Sequence, residues 1–273
     1  MNATPSPTAY VTSGDGTRIA YDTFGSGPAV VVVEGALCQR AMGVAKTLRE
    51  SLGARMTVFA YDRRDRGESD AGASPWSVDR EVEDLAAVLD AAGGAPYVVA
   101  ASSGGTLALE AARRGVAMER LAVYETPFIL DDTFRPNSPS LPADVQALVD
   151  ADRRGDAVKL FMKTVGAPGA MVAMMPLFPV WKQLKGVAHT LPYDLAICSP
   201  FQQGTPLPEG YYAEVKPETL VMVGDKSPTY MKNSQAAVAA QLPHGRLRSI
   251  AGQTHMVRAK PLTPVLLDHF GLA

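Results

Sequence analysis

The 273-residue sequence holds only two cysteines, a formal net charge of -2 and no apolar run approaching membrane-spanning length. Cys38 and Cys198 lie far apart and in no metal-ligand spacing, so neither a zinc site nor a disulfide framework is signalled. Reduced, buried or half-buried thiols are expected instead. Lys and Arg are scattered; the densest group, Arg63, Arg64 and Arg66, is interleaved with Asp62, Asp65 and Glu68, which cancels most of its field. Nucleic acid is therefore not an expected partner, and neither is a membrane. The opening MNATPSPTAYVTSGDG lacks a charged stretch followed by an apolar core, and a cytoplasmic location is expected. There is no repeat or low-complexity block, and nothing fixes an oligomeric state, although a homo-oligomer is compatible with the sequence.

What is present is a rhythm. After a short Pro/Ser/Thr-rich arm, Thr8 to Thr12 and Thr17 to Phe24 read as strands around Ser13-Gly14-Asp15-Gly16, whose Asp-Gly pair favours a hairpin turn. AVVVV from Ala29 is a continuous apolar run, the mark of a strand buried on both faces. Then helix and strand alternate: helix 41–52, strand 55–62, helix 77–94, strand 96–101, a helix from about Gly104 to Arg114 and a strand at 121–125. Ser77 with Glu81 approximates a capping arrangement at the start of 77–94, and Gly93-Gly94 marks its end. Strands separated by helices imply a mostly parallel sheet.

The rhythm breaks before the next strand, 219–225. The interval contains helix-like stretches at 143–165 and 179–191 with Pro- and Gly-containing joints. The sequence thus divides into a core, 1–127 and 217–273, and an inserted helical lid, 128–216. Met162, Met174, Met175, Phe178 and Trp181 are candidate substrate-binding residues of that lid, an adaptable apolar cover for a greasy pocket. For most of these positions taken singly, the lid's own core is the simpler role. Beyond it come a helix in SPTYMKNSQAAVAAQLP, a strand in GRLRSIAG and a final helix in PLTPVLLDHFG.

This order, with AASSGG set between a strand and a helix, resembles the α/β-hydrolase fold from about Thr8 to Phe270. In that family a G-x-S-x-G turn puts a serine on a sharp strand-to-helix elbow. The matching residues are Ala100-Ala101-Ser102-Ser103-Gly104, so the resemblance makes Ser102 the nucleophile, with alanine in place of the first glycine. It also implies that the segment after VVVV supplies half of an oxyanion hole, with donors at the Ala36 and Ser103 amides. Glu34 stands where the family usually has histidine. A carboxylate there would oppose an oxyanion, so Glu34 must point away, pair with a cation or be protonated; a role as an additional acid/base group is the bolder alternative. YDRRDRGES, 61–69, resembles a family segment that shapes the catalytic edge without carrying a catalytic group.

His255, directly after the last strand, occupies the place of the family's base, whereas His189, His244 and His269 do not. The acid is less plain. Ser227 aligns with the aspartate that many relatives carry after the seventh strand, Asp225 lies two residues earlier, and Glu125 ends the sixth strand, where certain dehalogenases and the zearalenone lactone hydrolases place their acid. Glu125 is preferred, with Asp225 the alternative. The resemblance implies a serine hydrolase that cleaves an apolar ester or lactone through an acyl-enzyme, without metal or organic cofactor. A lyase, cyclase or cofactor-free oxygenase of the same fold, or a small-molecule binding protein, is the alternative.

Overall fold

The computed structural model describes residues 6–73 and 75–273; most of the expected N-terminal arm, residues 1–5, lies outside them. The strands are β1 (Ala9–Thr12), β2 (Arg18–Gly25), β3 (Ala29–Val33), β4 (Thr57–Tyr61), β5 (Tyr97–Ala101), β6 (Arg120–Tyr124), β7 (Glu218–Gly224) and β8 (Gly245–Ile250). They form one sheet in the order β1-β2-β4-β3-β5-β6-β7-β8. β1 and β2 run antiparallel to their neighbours, and every pair from β4 to β8 is parallel.

The helices are α1 (Val44–Gly53), α2 (Val78–Ala91), α3 (Ser103–Arg113), α4 (Leu141–Asp150), α5 (Arg154–Thr164), α6 (Gly169–Met174), α7 (Val180–Val187), α8 (Leu191–Cys198), α9 (Thr229–Gln241) and α10 (Ala259–His269). The valine run explains the layering. Val30 and Val32 pack with Leu48 and Leu52 of α1 and Leu262 and Leu266 of α10. Val31 and Val33 face the other way, against Leu85 and Val88 of α2 and Leu107 of α3. All four are fully buried, each contributing about 1.5–3 kcal/mol of hydrophobic stabilisation. This is the mostly parallel, helix-flanked sheet of the expected fold. Among the described residues no helix is long and apolar enough to cross a membrane.

The sequence reading errs between β6 and β7. The stretch 143–165 is two helices, not one: the chain turns at Asp152, whose φ of 53° is left-handed, and α5 restarts at Arg154. An aspartate tolerates that conformation because its short side chain bonds locally. The stretch 179–191 is likewise divided, with α7 ending at Val187 and α8 starting at Leu191 beside Pro192. α6, set among glycines and prolines, was not expected as a helix at all. Helix 41–52 starts later, at Val44, because Gly43 takes φ 147° and the residues before it form a bridge between Gln39 and Met42. α4, α5, α7 and α8 share an apolar cluster of Leu141, Val145, Val158, Val187 and Leu191 that closes over Leu37.

Candidate active site

β5 ends at Ala101 and α3 begins at Ser103, which leaves Ser102 alone to turn the chain. Its φ of 53° and ψ of -130° are strained for a residue with a side chain, a conformation costing roughly 1–3 kcal/mol that persists only where the surroundings enforce it. They do. The Ser102 amide donates to Tyr124 O of β6 at 2.9 Å, and its carbonyl accepts the Gly105 amide at 2.9 Å. Gly104 lies so close to β3 that a Cβ there would sit 2.5 Å from Glu34 O, and a Cβ on Gly35 would sit 2.9 Å from Ser102 Cβ. The methyl of Ala100 is accommodated in the sheet core, fully buried, between Val33 and Val123 in register.

On the adjoining strand, Glu125 follows β6 with φ 48° and a fully buried side chain. Gln235 of α9 clamps the next residue: its Oε1 accepts the Thr126 amide and hydroxyl at 3.1 and 3.0 Å, and its Nε2 donates to Thr126 O at 2.8 Å. The Glu125 Oε1 atom accepts from the Gly224 amide at 2.7 Å and the Ser227 hydroxyl at 2.5 Å. Its Oε2 lies 2.9 Å from His255 Nδ1. The hydroxyl of Tyr124 donates to Thr254 O at 2.6 Å, tying down the loop that carries His255. Thus Ser227, at the position many relatives give to the acid, serves as a donor to Glu125, and Asp225 is exposed and makes no hydrogen bond to His255. The His255 ring is 49% exposed; its Nε2 is not hydrogen-bonded to Ser102 in this structure.

Among the described residues, neither the Ala36 nor the Ser103 amide has an acceptor in the protein. Two unsatisfied N–H groups flanking a serine elbow are suited to an anionic oxygen. Glu34 points elsewhere. Its carboxylate receives the Val44 amide at 2.9 Å and the Ala45 amide at 2.7 Å, capping α1 through space. Burial pushes its pKa up to about 7 against the pull of those two donors. Both oxygens are thereby engaged away from the elbow.

Beneath this loop lies a buried charge network that the sequence places only as a structural segment. Arg63 grips Glu81 with Nε and Nη2 at 2.6 and 2.8 Å and reaches Asp194 of α8 with Nη1 at 2.7 Å. Arg66 meets the other Asp194 oxygen at 2.7 Å, and Arg64 is bidentate to Asp84. Asp194 stays ionised: burial opposes its charge, but Arg66 and Arg63 outweigh that and hold the carboxyl below its ordinary value. Tyr124, Gln235 and Asp194 were missed by sequence reasoning, which named Ser227 only as standing in the acid's place and not as a donor to Glu125; a lone carboxylate in the apolar LPYDLAIC was the one visible signal.

The apolar candidates between β6 and β7 divide. Met162, Met175 and Trp181 pack partly buried against the cluster of α4, α5 and α8. Trp181 lies against Gly155 and borders an open depression of about 450 Å³ with charged walls, among them Asp152, Arg154 and Lys159. Met174 and Phe178 are half exposed, at 52% and 50%. Among the described residues, no group of three or more His, Cys, Asp or Glu side chains is arranged to hold a metal ion.

The sequence model of the alpha/beta hydrolase family matches residues 38–265. The chain belongs to the alpha/beta hydrolase family. Among solved structures, an alpha/beta hydrolase from Sphaerobacter thermophilus is 42% identical, with 96% of this chain and 100% of that one covered and a TM-score of 0.88. An enol-lactonase from Burkholderia xenovorans has the same fold at 19% identity, covering 97% of this chain and all of its own, with a TM-score of 0.70. A bromoperoxidase from Bacillus anthracis is similar in the same way: 18% identity, 97% and 100% coverage, TM-score 0.72.

Proposed function

We propose that this alpha/beta hydrolase is a serine enzyme that cleaves an apolar carboxylic ester or lactone through an acyl-enzyme. The observation that carries the proposal is His255 Nδ1 held 2.9 Å from the buried Glu125 carboxylate, on the strand adjoining a strained Ser102. With Nδ1 committed to Glu125, the ring presents Nε2 as the base. It takes the Ser102 proton once substrate closes the gap between them; the oxygen attacks the carbonyl, and the Ala36 and Ser103 amides receive the oxyanion. The histidine then protonates the leaving alcohol, or the ring-opened hydroxyl of a lactone. Water, deprotonated by the same ring, releases the acid. Glu125 keeps its charge throughout and stabilises the imidazolium. No step needs a metal or cofactor.

The segment 128–216 serves as the lid in this reading, with the exposed Met174 and Phe178 offering apolar surface to a substrate. The name enol-lactonase for a protein of the same fold agrees with it in kind. The test is a panel of aryl esters and γ- and δ-lactones of increasing chain length, run on the wild type and on Ser102→Ala. Turnover that rises with apolar chain length and vanishes in the variant is expected; turnover that survives Ser102→Ala would refute the proposal.

A further inference from the structure

We infer that Arg66, with Asp194 of α8 behind it, positions the two amides of the oxyanion site, so that the helical segment between β6 and β7 is built into the chemistry as well as covering it. The inference rests on the reading of Ser102 as nucleophile.

Arg66 Nη1 donates to Gly35 O at 2.7 Å and to Cys38 O at 3.2 Å. The Gly35 carbonyl and the Ala36 N–H are opposite ends of one trans peptide unit. A guanidinium on the carbonyl therefore fixes where the N–H points, and by polarising the unit makes that N–H a better donor. The loop's own bond, Cys38 N to Gly35 O, is a long 3.4 Å and would not hold the peptide plane by itself. On the other side of the site, the Ser103 hydroxyl donates to Asp194 Oδ1 at 2.7 Å, fixing the residue whose amide is the second donor. Asp194 completes the unit. Its Oδ1 also takes Arg63 Nη1 at 2.7 Å and its Oδ2 takes Arg66 Nη2 at 2.7 Å, while Arg63 Nη1 reaches on to Glu34 O at 3.3 Å.

Arg63, Arg66, Ser103 and Asp194 are all at most 2% exposed, so these bonds lie away from bulk solvent and are screened little by salt. Stabilisation of an oxyanion depends on donors that are already oriented before charge develops. Two residues set that orientation for both donors through Gly35 O and the Ser103 hydroxyl, one from the loop after β4 and one from α8. They are positioning residues.

The test compares wild type, Arg66→Met, Arg66→Lys and Asp194→Asn, using kcat and KM for p-nitrophenyl butyrate, inhibition by a trifluoromethyl ketone whose adduct with Ser102 carries the oxyanion, and thermal midpoints. Arg66→Met is expected to lose at least tenfold in kcat, with ketone affinity falling by the same factor and KM within twofold of wild type. Arg66→Lys, which keeps a donor for Gly35 O, recovers most of that loss. A folded Arg66→Met whose kcat and ketone affinity stay within twofold of wild type would overturn the inference and leave the Ser102 reading standing. A wild type that turns over no ester and takes no label at Ser102 would overturn both. Should Arg66→Met fail to fold, Asp194→Asn decides: kcat and ketone affinity falling together at least threefold with KM unchanged supports the inference, and no change in either overturns it.

Discussion

The sheet and the helices between β6 and β7 meet beside the elbow, where the Ser103 hydroxyl donates to Asp194 of α8, and are held by different forces. β3, β5 and β6 are buried on both faces, and the backbone strain at Ser102 and Glu125 sits at the ends of those strands, where close packing enforces it. α4 to α8 leave Met171, Met174, Leu177 and Phe178 exposed, and are joined to the rest of the protein by Ile197 and Cys198 of α8 in the core cluster of Leu107 and by polar anchors, among them Asp194 on Arg63 and Arg66 and His189 on Asp65. In the reading proposed above, the rigid region, the sheet, carries nucleophile, acid and base; the anchored region, α4 to α8, covers the site and reaches its edge through Asp194 and through the apolar cluster around Leu37.

The sharpest way to break this division is to alter each side in turn. On the rigid side, Glu125→Gln keeps the shape and removes the charge behind His255, and kcat for an aryl ester is expected to fall about a thousandfold to ten-thousandfold, read by steady-state kinetics. An equal loss in Asp225→Asn would move the acid to the end of β7. On the anchored side, Asp194→Ala leaves Arg66 without a carboxylate and removes one of Arg63's two carboxylate partners in a dry interior. A loss of about 3–5 kcal/mol in urea unfolding is expected.

The smallest effect concerns His189, whose pKa is raised chiefly by its hydrogen bond to Asp65, and also by the Asp65 backbone carbonyl. A histidine raised in the folded state adds stability that is complete below its ordinary titration range and is lost as pH rises through the elevated value. Asp65→Asn preserves a residue tolerant of the φ of 65° found there and removes the charge. The gap between wild-type and variant unfolding free energies is expected to be about 0.5–1 kcal/mol in acid and to close as the pH is raised through neutrality, measured by urea titration at several pH values. A gap independent of pH would remove His189 from the set of anchors.

The same contrast governs what could be read from the sequence. β3 to β6 were legible because each strand is a short apolar run closed by turn residues, whereas Ser102 and His255 could be named as candidates only through the family resemblance of the segments after β5 and β8. Glu125 could be ranked above Asp225 but not bonded to anything; the bond to His255 spans 130 residues and exists only in the fold. The cap that Glu34 places on α1 was likewise invisible, since it comes from ten residues upstream and not from the preceding residue. In the α4 to α8 segment, apolar periodicity ran on through Asp152 and concealed a left-handed break, while the Gly and Pro content of 166–179 concealed α6. Asp194 looked like any helical acid because its arginines lie 128 and 131 residues away.

The central claim is that Ser102 is an activated nucleophile served by His255 and Glu125. Intact-mass measurement after exposure to a serine-directed fluorophosphonate, on wild type and Ser102→Ala, with the adduct located by peptide mass, addresses it most directly. The account requires one adduct per chain, on Ser102 and absent from the variant. Full occupancy in Ser102→Ala, or no adduct on a wild type that a reversible phosphonate ester shows to be open to the probe, would contradict it.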